Sequence, residues 1–295
     1  MAVKQYIFAL GFFDGVHLGH QALLRQCVAL AQETAAVPAA LTFLQHPQAL
    51  FTAEPPALLT TDTDRDALLR RCGIQYIHKL PVTKEVMSTN WETFLADLLK
   101  KGAVGFVCGD DFHFGHRGEG NPEKLTAFCR EHGLPCRIVE EQTLDGIRVS
   151  STRIRRLIEE GSMNQAVRFL GHPHVLTGTV VSGRQLGRTI GIPTANLRLP
   201  DGIVQPRLGV YACRAICEDH AYLAVTNVGM RPTVEGHHVT VEPWLLDFAG
   251  DLYGKTLTLE FHEFLRPEEK FPSLEALRQE IRKNACQTRE FFEKN

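Results

Sequence analysis

The chain has 295 residues, 44% of them hydrophobic and 22% charged, with a formal net charge of −2. That length exceeds one usual hydrophobic core and predicts two domains, while the near-balanced charge excludes a global electrostatic reason to bind nucleic acid or an anionic membrane. Any anion site must therefore be local. The opening MAVKQYIFAL is too short and wrongly flanked for a signal peptide, no apolar run is long enough to span a bilayer, and the eight cysteines form no CxxC pair. Reduced thiols in a cytoplasmic protein are expected.

In chain order, β-rich runs alternate with helical periodicity up to about residue 168. YIFAL leads into HQALLRQCVALAQE, whose Leu23, Cys27, Leu30 and Ala31 share one helical face; AALTF, GIQYIHKL, the helix-like WETFLADLLKK, AVGFVCG, PEKLTAFCREHG and CRIVEE follow. Such alternation predicts right-handed crossovers, a doubly wound parallel sheet and ligands at the carboxyl ends of its strands. After VSSTRIRRLIEEGSMNQAVRFLGHP the strands VLTGTVVSG, GVYACRAIC, AYLAVTNVG, HVTVEPWLLDF and KTLTLEFHEFL come without intervening helices. They predict an antiparallel β-barrel or sandwich closed by one terminal helix, LEALRQEIRKNACQTREFFEK. The boundary is expected at residues 170–174, dividing the chain into 1–169 and 174–295. There is no internal repeat or low-complexity tract.

The first strand runs into GFFDGVHLGH, residues 11–20. A glycine turn between strand and helix lets backbone N–H groups approach a ligand, and the helix start adds positive potential. His17 and His20, three residues apart on one face, can then aim at one oxygen cluster and stabilise charge growing on a transferring phosphate. A cap or a packed ring is the plainer role for either histidine alone. Near the end of the same region, Ser151, Thr152 and Arg155 in VSSTRIRRLI place hydroxyls and a guanidinium at a helix start, suited to phosphate oxygens or, more plainly, to an N-cap and a solvated basic turn. Between them, Phe112 and Phe114 of VCGDDFHFGHRGEGN are placed to flank a planar ligand or to serve as core.

GFFDGVHLGH resembles the HxGH signature of the nucleotidylyl transferases, and VSSTRIRRLI is similar to their second signature. The resemblance implies a nucleotide site that includes Gly11, Phe12, Gly19, Ser151, Thr152 and Arg155. VCGDDFHFGHRGEGN resembles the GDDFRFG segment of bacterial riboflavin kinase/FAD synthetases, which implies a flavin nucleotide site at Asp111 and Phe112.

In the second region, GTVVSGRQLGRTIGIPTANL is glycine-dense, as a mobile phosphate-touching flap would be, but contains no Walker A motif. Thr194 and Asn196 alternate as if on one strand face and offer two neutral oxygens to a hard cation; an ordinary turn after Pro193 is the alternative. Glu242 interrupts an otherwise apolar strand, so it needs a task such as general base or a partner such as Arg231. GRTIGIPTANL, PRLGVYACRA, TNVGMRPTV, VEPWLLDFAGDLYG and FLRPEEKFPSLEAL all resemble riboflavin kinase segments, in the same order.

That resemblance implies that Thr194 and Asn196 hold a magnesium-nucleotide, that Gly183, Gly187 and Arg188 lie on the phosphate flap, and that Glu242 contacts the flavin and activates its ribityl hydroxyl. It implies ATP and Mg²⁺, with riboflavin phosphorylated to FMN by the barrel and FMN adenylylated to FAD by the first domain, through His17, His20 and Arg155. Alternatives are a riboflavin kinase whose first domain is inactive or takes another acceptor, and a flavin-binding protein without turnover. The sequence departs from the resembled pattern at Phe12, Gln45, His113 and Asn284, the last standing where Asp is frequent.

Overall fold

The computed structural model describes residues 4–182, 191–233 and 236–295, with side chains omitted for 231–238. It divides into two compact units, residues 1–56 with 65–151, and residues 57–64 with 152–295.

In the first unit, β1 (Tyr6–Leu10), β2 (Val37–Phe43), β3 (Tyr76–Leu80), β4 (Ala103–Gly109) and β5 (Cys136–Val139) form a five-stranded sheet in the order β3-β2-β1-β4-β5. Every pairing in it is parallel. The inner strands β1, β2 and β4 read as nearly unbroken apolar runs because both faces are covered, whereas the edge strands β3 and β5 carry His78, Lys79 and Arg137. Helix α1 (Leu18–Glu33) lays Leu23, Leu24, Cys27, Leu30 and Ala31 on one face of the sheet, the stripe expected from the sequence. Helices α2 (Asp62–Arg71) and α3 (Lys84–Met87) follow β2 and β3. Helices α4 (Trp91–Lys100) and α5 (Pro122–Glu131) bury Leu95, Leu98, Leu125, Phe128 and Cys129 in a second apolar cluster with Phe8, Leu41 and Phe106. The strand order reverses between β1 and β4, where an open parallel sheet leaves a crevice at its carboxyl edge.

A short hairpin, β6 (Thr143–Leu144) and β7 (Ile147–Arg148), turns through Asp145 and Gly146, both with positive φ (54° and 73°), as the Asp-Gly pair of a tight hairpin requires.

In the second unit, α6 (Ser151–Glu160) and α7 (Met163–Leu170) bury Ile154, Leu157, Ile158, Ala166 and Phe169. Gly171, at φ 74°, caps α7 in the left-handed conformation where the chain passes from helix to barrel. The segment 57–64 belongs here because Leu58 pairs with Ile203 and Asp64 Oδ2 accepts the Thr177 N–H at 3.2 Å. These are long-range ties that a reading along the chain does not register.

The barrel runs β8 (His174–Thr179), β9 (Leu197–Arg198), β10 (Gly209–Cys217), β11 (His220–Thr233), β12 (Gly236–Leu245) and β13 (Thr256–Pro267), ordered β8-β13-β10-β11-β12-β9. All its ladders are antiparallel. Beyond the paired strands, the Val181 N–H reaches the Asn196 carbonyl at 2.9 Å and nearly closes the cylinder. Helix α8 (Leu274–Lys294), N-capped by Ser273, packs Ala285 on Val210, Val225 and Leu246.

All eight cysteines are free thiols, as expected. Among the described residues no helix is long and apolar enough to cross a membrane.

His174, at the start of β8, is 2% exposed, and burial followed by the charge of His172 lowers its pKa to about 4. The unfolded chain therefore takes up a proton below pH 6.5 that the folded chain refuses, so stability is present above 6.5 and falls between 6.5 and about 4. For this one group the fall is on the order of 3 kcal/mol. Urea titrations across that window are expected to show a shallower pH slope for His174→Gln; an unchanged slope would assign the acid sensitivity to other groups.

Candidate functional sites

The first site lies at the crevice between β1 and β4, a cavity of about 340 Å³. Its walls include Gly11, Phe12, His17, Gly19, His20, Asp111, Phe112 and Ser151, so the structure gathers these expected residues around one space. The loop that makes it is strained. Phe13 (φ 59°), Gly15 (φ 75°) and Val16 (φ 40°) all hold left-handed backbone, and for a β-branched valine that is a genuine outlier. Full burial of Phe13 and Val16 and hydrogen bonds to the Val16 carbonyl from Gln21 Nε2 (2.9 Å) and to the Asp14 carbonyl from Ser151 Oγ (3.1 Å) hold it there.

His17 is the N-cap of α1, its Nδ1 accepting the His20 N–H at 3.3 Å. In the neutral ring this puts the proton on Nε2. The two imidazoles are stacked at 3.6 Å and 14°. Burial, then the neighbouring His17, holds the His20 pKa well below its usual value, so the ring is neutral at neutral pH. His20 Nδ1 is buried with no hydrogen-bond partner among the described residues. Two imidazoles at a helix start can give hydrogen bonds to phosphate oxygens, and an arriving anion makes their protonation easier.

Gly19 leaves room for the same packing, because a Cβ there would sit 3.2 Å from His17 Cε1 and 3.3 Å from Nδ1 and the ring would have to give by a few tenths of an ångström. Gly19→Ala is expected to stabilise the helix, by about 1 kcal/mol from propensity. It is also expected to displace His17 and slow chemistry at this site by about tenfold. Initial rates with thermal unfolding in parallel would separate the two effects, and an unchanged rate would show that the His17 position is not critical.

Phe12 has its ring 4.9 Å from the Arg65 guanidinium and edge-on to His46 at 5.1 Å, while its carbonyl accepts the Thr42 hydroxyl at 2.7 Å. The departure at this position is thus built into an aromatic and cationic wall. Of the two phenylalanines expected to flank a ligand, Phe112 lines the cavity but Phe114 is core, 6% exposed and stacked behind Phe112 at 5.7 Å. His113 is exposed on the rim with Nδ1 2.9 Å from the Asp111 carbonyl oxygen.

Asp111 is not alone. Arg148 Nη2 meets its Oδ2 at 2.6 Å and Arg148 Nε meets Glu141 Oε2 at 3.0 Å, tying the β4 loop to the hairpin at the cavity rim. Arg148 and Glu141 were not singled out from the sequence; the Asp-Gly turn before VSSTRI was the available signal. Thr152 and Arg155 open the second unit's part of α6, joined by Arg155 Nη2 to Thr152 Oγ1 at 3.2 Å.

The second site is a cavity of about 380 Å³ between the barrel's outer face and α8. Its apolar walls include Val210, Val225, Trp244, Phe271 and Leu277; Glu242, Asn227 and Thr194 supply polar atoms, and Arg266, Glu268 and Glu269 also line it. Along β12, Glu242 and Trp244 face this cavity while Val241 and Leu245 are buried on the other face. Glu242 is half-buried, stands opposite Asn227 in the ladder and accepts the Thr240 hydroxyl at 3.0 Å. The expected alternative partner, Arg231, has its side chain outside the described residues, as do Gly183, Gly187 and Arg188 of the glycine-rich flap.

Thr194 and Asn196 do not alternate along a strand, because β9 is only Leu197–Arg198. Pro193 has no N–H to give and Gly191 is left-handed (φ 72°), so residues 192–196 run irregularly, held by the Ala195 N–H to the Pro243 carbonyl at 2.9 Å. Thr194 is half-buried and borders both this cavity and a third of about 170 Å³, walled by Phe248, Leu252 and Tyr253. Asn196, 9% exposed, lies two residues on.

Asn284, 1% exposed, accepts from Arg266 Nε at 3.1 Å and donates to Gln287 Oε1 at 3.0 Å. Glu280 stands 3.6 Å from the same Arg266 nitrogen and supplies the negative charge, so a neutral amide fits where a second carboxylate would repel it.

An open parallel sheet with paired imidazoles at its switch point, followed by a barrel with a carboxylate in an apolar cavity, defines a two-unit transferase acting on phosphate groups. Comparison with known proteins agrees. Residues 2–153 match the FAD synthetase family model and residues 170–292 the riboflavin kinase model. The bifunctional riboflavin kinase/FMN adenylyltransferase of Listeria monocytogenes is 34% identical over 292 residues, covering 98% of this chain and 93% of that protein. The enzyme of the same name from Escherichia coli K12 is 36% identical over 290 residues, covering 97% and 92%. A solved structure from Streptococcus pneumoniae, bearing the name macrolide-efflux protein, superposes with a TM-score of 0.88 at 29% identity over 98% of this chain and 95% of that one. The chain belongs to the bifunctional riboflavin kinase/FMN adenylyltransferase family.

Proposed function

We propose that the chain makes FMN from riboflavin and ATP in its C-terminal barrel region, and FAD and pyrophosphate from FMN and ATP in its N-terminal parallel-sheet region. The assignment divides the work as 1–169 for adenylyl transfer and 174–295 for the kinase. The observation that carries it is the separation of chemistries. Paired imidazoles line a crevice of mixed polar and apolar walls, and Glu242 lines a predominantly apolar cavity with room for a flavin ring.

In the kinase reaction riboflavin occupies the apolar cavity. Glu242 takes the proton of the terminal ribityl hydroxyl, whose oxygen bonds to the γ-phosphorus of ATP as the bond to ADP breaks. The nucleotide lies on the far side of Thr194, towards Phe248 and Tyr253. Thr194 and Asn196 offer neutral oxygens, which suit a hard cation that keeps its water and phosphate ligands and do not suit a soft metal. Mg²⁺ held there with the nucleotide would neutralise charge on the transferring phosphoryl group. Gly183, Gly187 and Arg188 are assigned to the phosphate flap by resemblance.

In the adenylyl reaction an FMN phosphate oxygen bonds to the α-phosphorus of ATP and pyrophosphate leaves. His17, His20 and Arg155 hold the charge that develops, Gly11, Phe12, Gly19, Ser151 and Thr152 seat the nucleotide, and Asp111 and Phe112 contact the flavin nucleotide. Eight free thiols fit a reducing, cytoplasmic place of action.

The test is a time course of riboflavin with ATP and Mg²⁺, resolved by chromatography. FMN followed by FAD is expected. FMN that accumulates without FAD would overturn the first unit's assignment and leave the second's intact.

A further inference from the structure

On the reading that Glu242 is the kinase base, we propose that Thr240 is the residue that positions it. Strand β12 places the two side chains on one face, two residues apart. The Thr240 Oγ1 lies 3.0 Å from Glu242 Oε1 and 3.3 Å from the Gly229 carbonyl oxygen. An ionised carboxylate can only accept, and a hydroxyl has one proton to give. The charged acceptor is both nearer and stronger than the neutral carbonyl, so the proton goes to Glu242.

The donor is itself rigid. Its backbone is locked between Gly229 on one side and Arg198 on the other, and its branched Cβ restricts χ1. Gly229, opposite Thr240, has no side chain with which to buttress Glu242. A Cβ there would stand 2.5 Å from Glu268 Oε1 and 2.9 Å from Asn227 Nδ2, the ends of two side chains that would have to move to admit it. Glu242 is a long side chain on the wall of the cavity, and the Thr240 hydroxyl is a fixed contact that helps orient its carboxylate relative to the ligand space. Thr240 itself is not among the cavity's lining residues, so its effect must pass through Glu242.

The experiment compares Thr240→Val, Thr240→Ser, Glu242→Gln and the Thr240→Val/Glu242→Gln double variant in the full chain, measuring kcat and KM for FMN formation and, separately, FAD formation from FMN. Thr240→Val is nearly isosteric and removes only the hydroxyl. It is expected to lower kcat by about tenfold with KM for riboflavin and ATP within about twofold, the size of one lost hydrogen bond to a charged group. Thr240→Ser, which keeps the hydroxyl and loses the methyl, should recover most of the rate. The double variant should be no slower than Glu242→Gln, because a positioning residue has nothing left to position. FAD formation from FMN should be unchanged throughout and reports that the first unit is folded, while the retained KM values and an unchanged thermal unfolding midpoint report that the barrel is. Full kcat in Thr240→Val alongside a crippled Glu242→Gln would overturn the role of Thr240 alone. So would a serine variant as slow as valine, or losses that multiply in the double variant. Near-normal FMN formation by Glu242→Gln would instead remove Glu242 as the base, and the proposal with it.

Discussion

Replacing His20 with alanine is expected to lower FAD formation from FMN by about 10²-fold or more, while FMN formation from riboflavin continues at its usual rate. The imidazole is stacked on His17 at 3.6 Å and set edge-on to Phe13, and its Nδ1 has no protein partner among the described residues. Burying an unsatisfied nitrogen costs stability, a cost that a ligand phosphate can relieve. Alanine removes that nitrogen and also the ring against which His17 rests, so the loss includes some His17 misplacement. The double variant His17→Ala/His20→Ala should therefore lose less than the product of the single losses. Because a buried polar atom is removed, the unfolding midpoint is expected to stay close to that of the parent. Equal loss of both activities would mean that His20 serves the fold or that one site performs both reactions.

The second large effect is expected from Glu242→Gln, which keeps the shape and the acceptor oxygen for Thr240 but cannot take a proton at neutral pH. FMN formation should fall by about 10²- to 10⁴-fold, the range for loss of a general base. FAD formation from supplied FMN should persist. Riboflavin binding, followed by quenching of its fluorescence, should also survive, since most of the cavity wall is apolar and unchanged. Loss of binding together with rate would make Glu242 a flavin anchor rather than a base.

Much of the fold is legible in the sequence because it rests on periodicity. Leu23, Cys27, Leu30 and Ala31 fall on one helical face whatever surrounds them, and the all-apolar β1, β2 and β4 required covering on both sides. The barrel's strands were visible from their turns and β-rich composition. Residues 192–196 were less legible. Their alternation is strand-like on paper, yet Pro193 and the left-handed Gly191 leave a paired strand only at 197–198. Phe112 and Phe114 have the same spacing from the strand end as two ligand-facing rings would, and only packing against Phe94 sends Phe114 into the core. The contribution of residues 57–64 to the second unit depends on contacts more than one hundred residues away in sequence, such as Asp64 with Thr177.

By itself the sequence determined the two-part architecture, the glycine-flanked histidine pair at a helix start and the carboxylate in an apolar strand, because each is a matter of local stereochemistry and of short-range solvent preference. Only the tertiary structure decided that His17 and His20 stack and that His20 is neutral, since both follow from burial among residues distant in the chain. It alone brought Arg148 to Asp111 and Glu141, set Thr194 between two cavities, and placed the Thr240 hydroxyl against Glu242. Such distances arise when separate elements pack together, and no spacing along the chain encodes them.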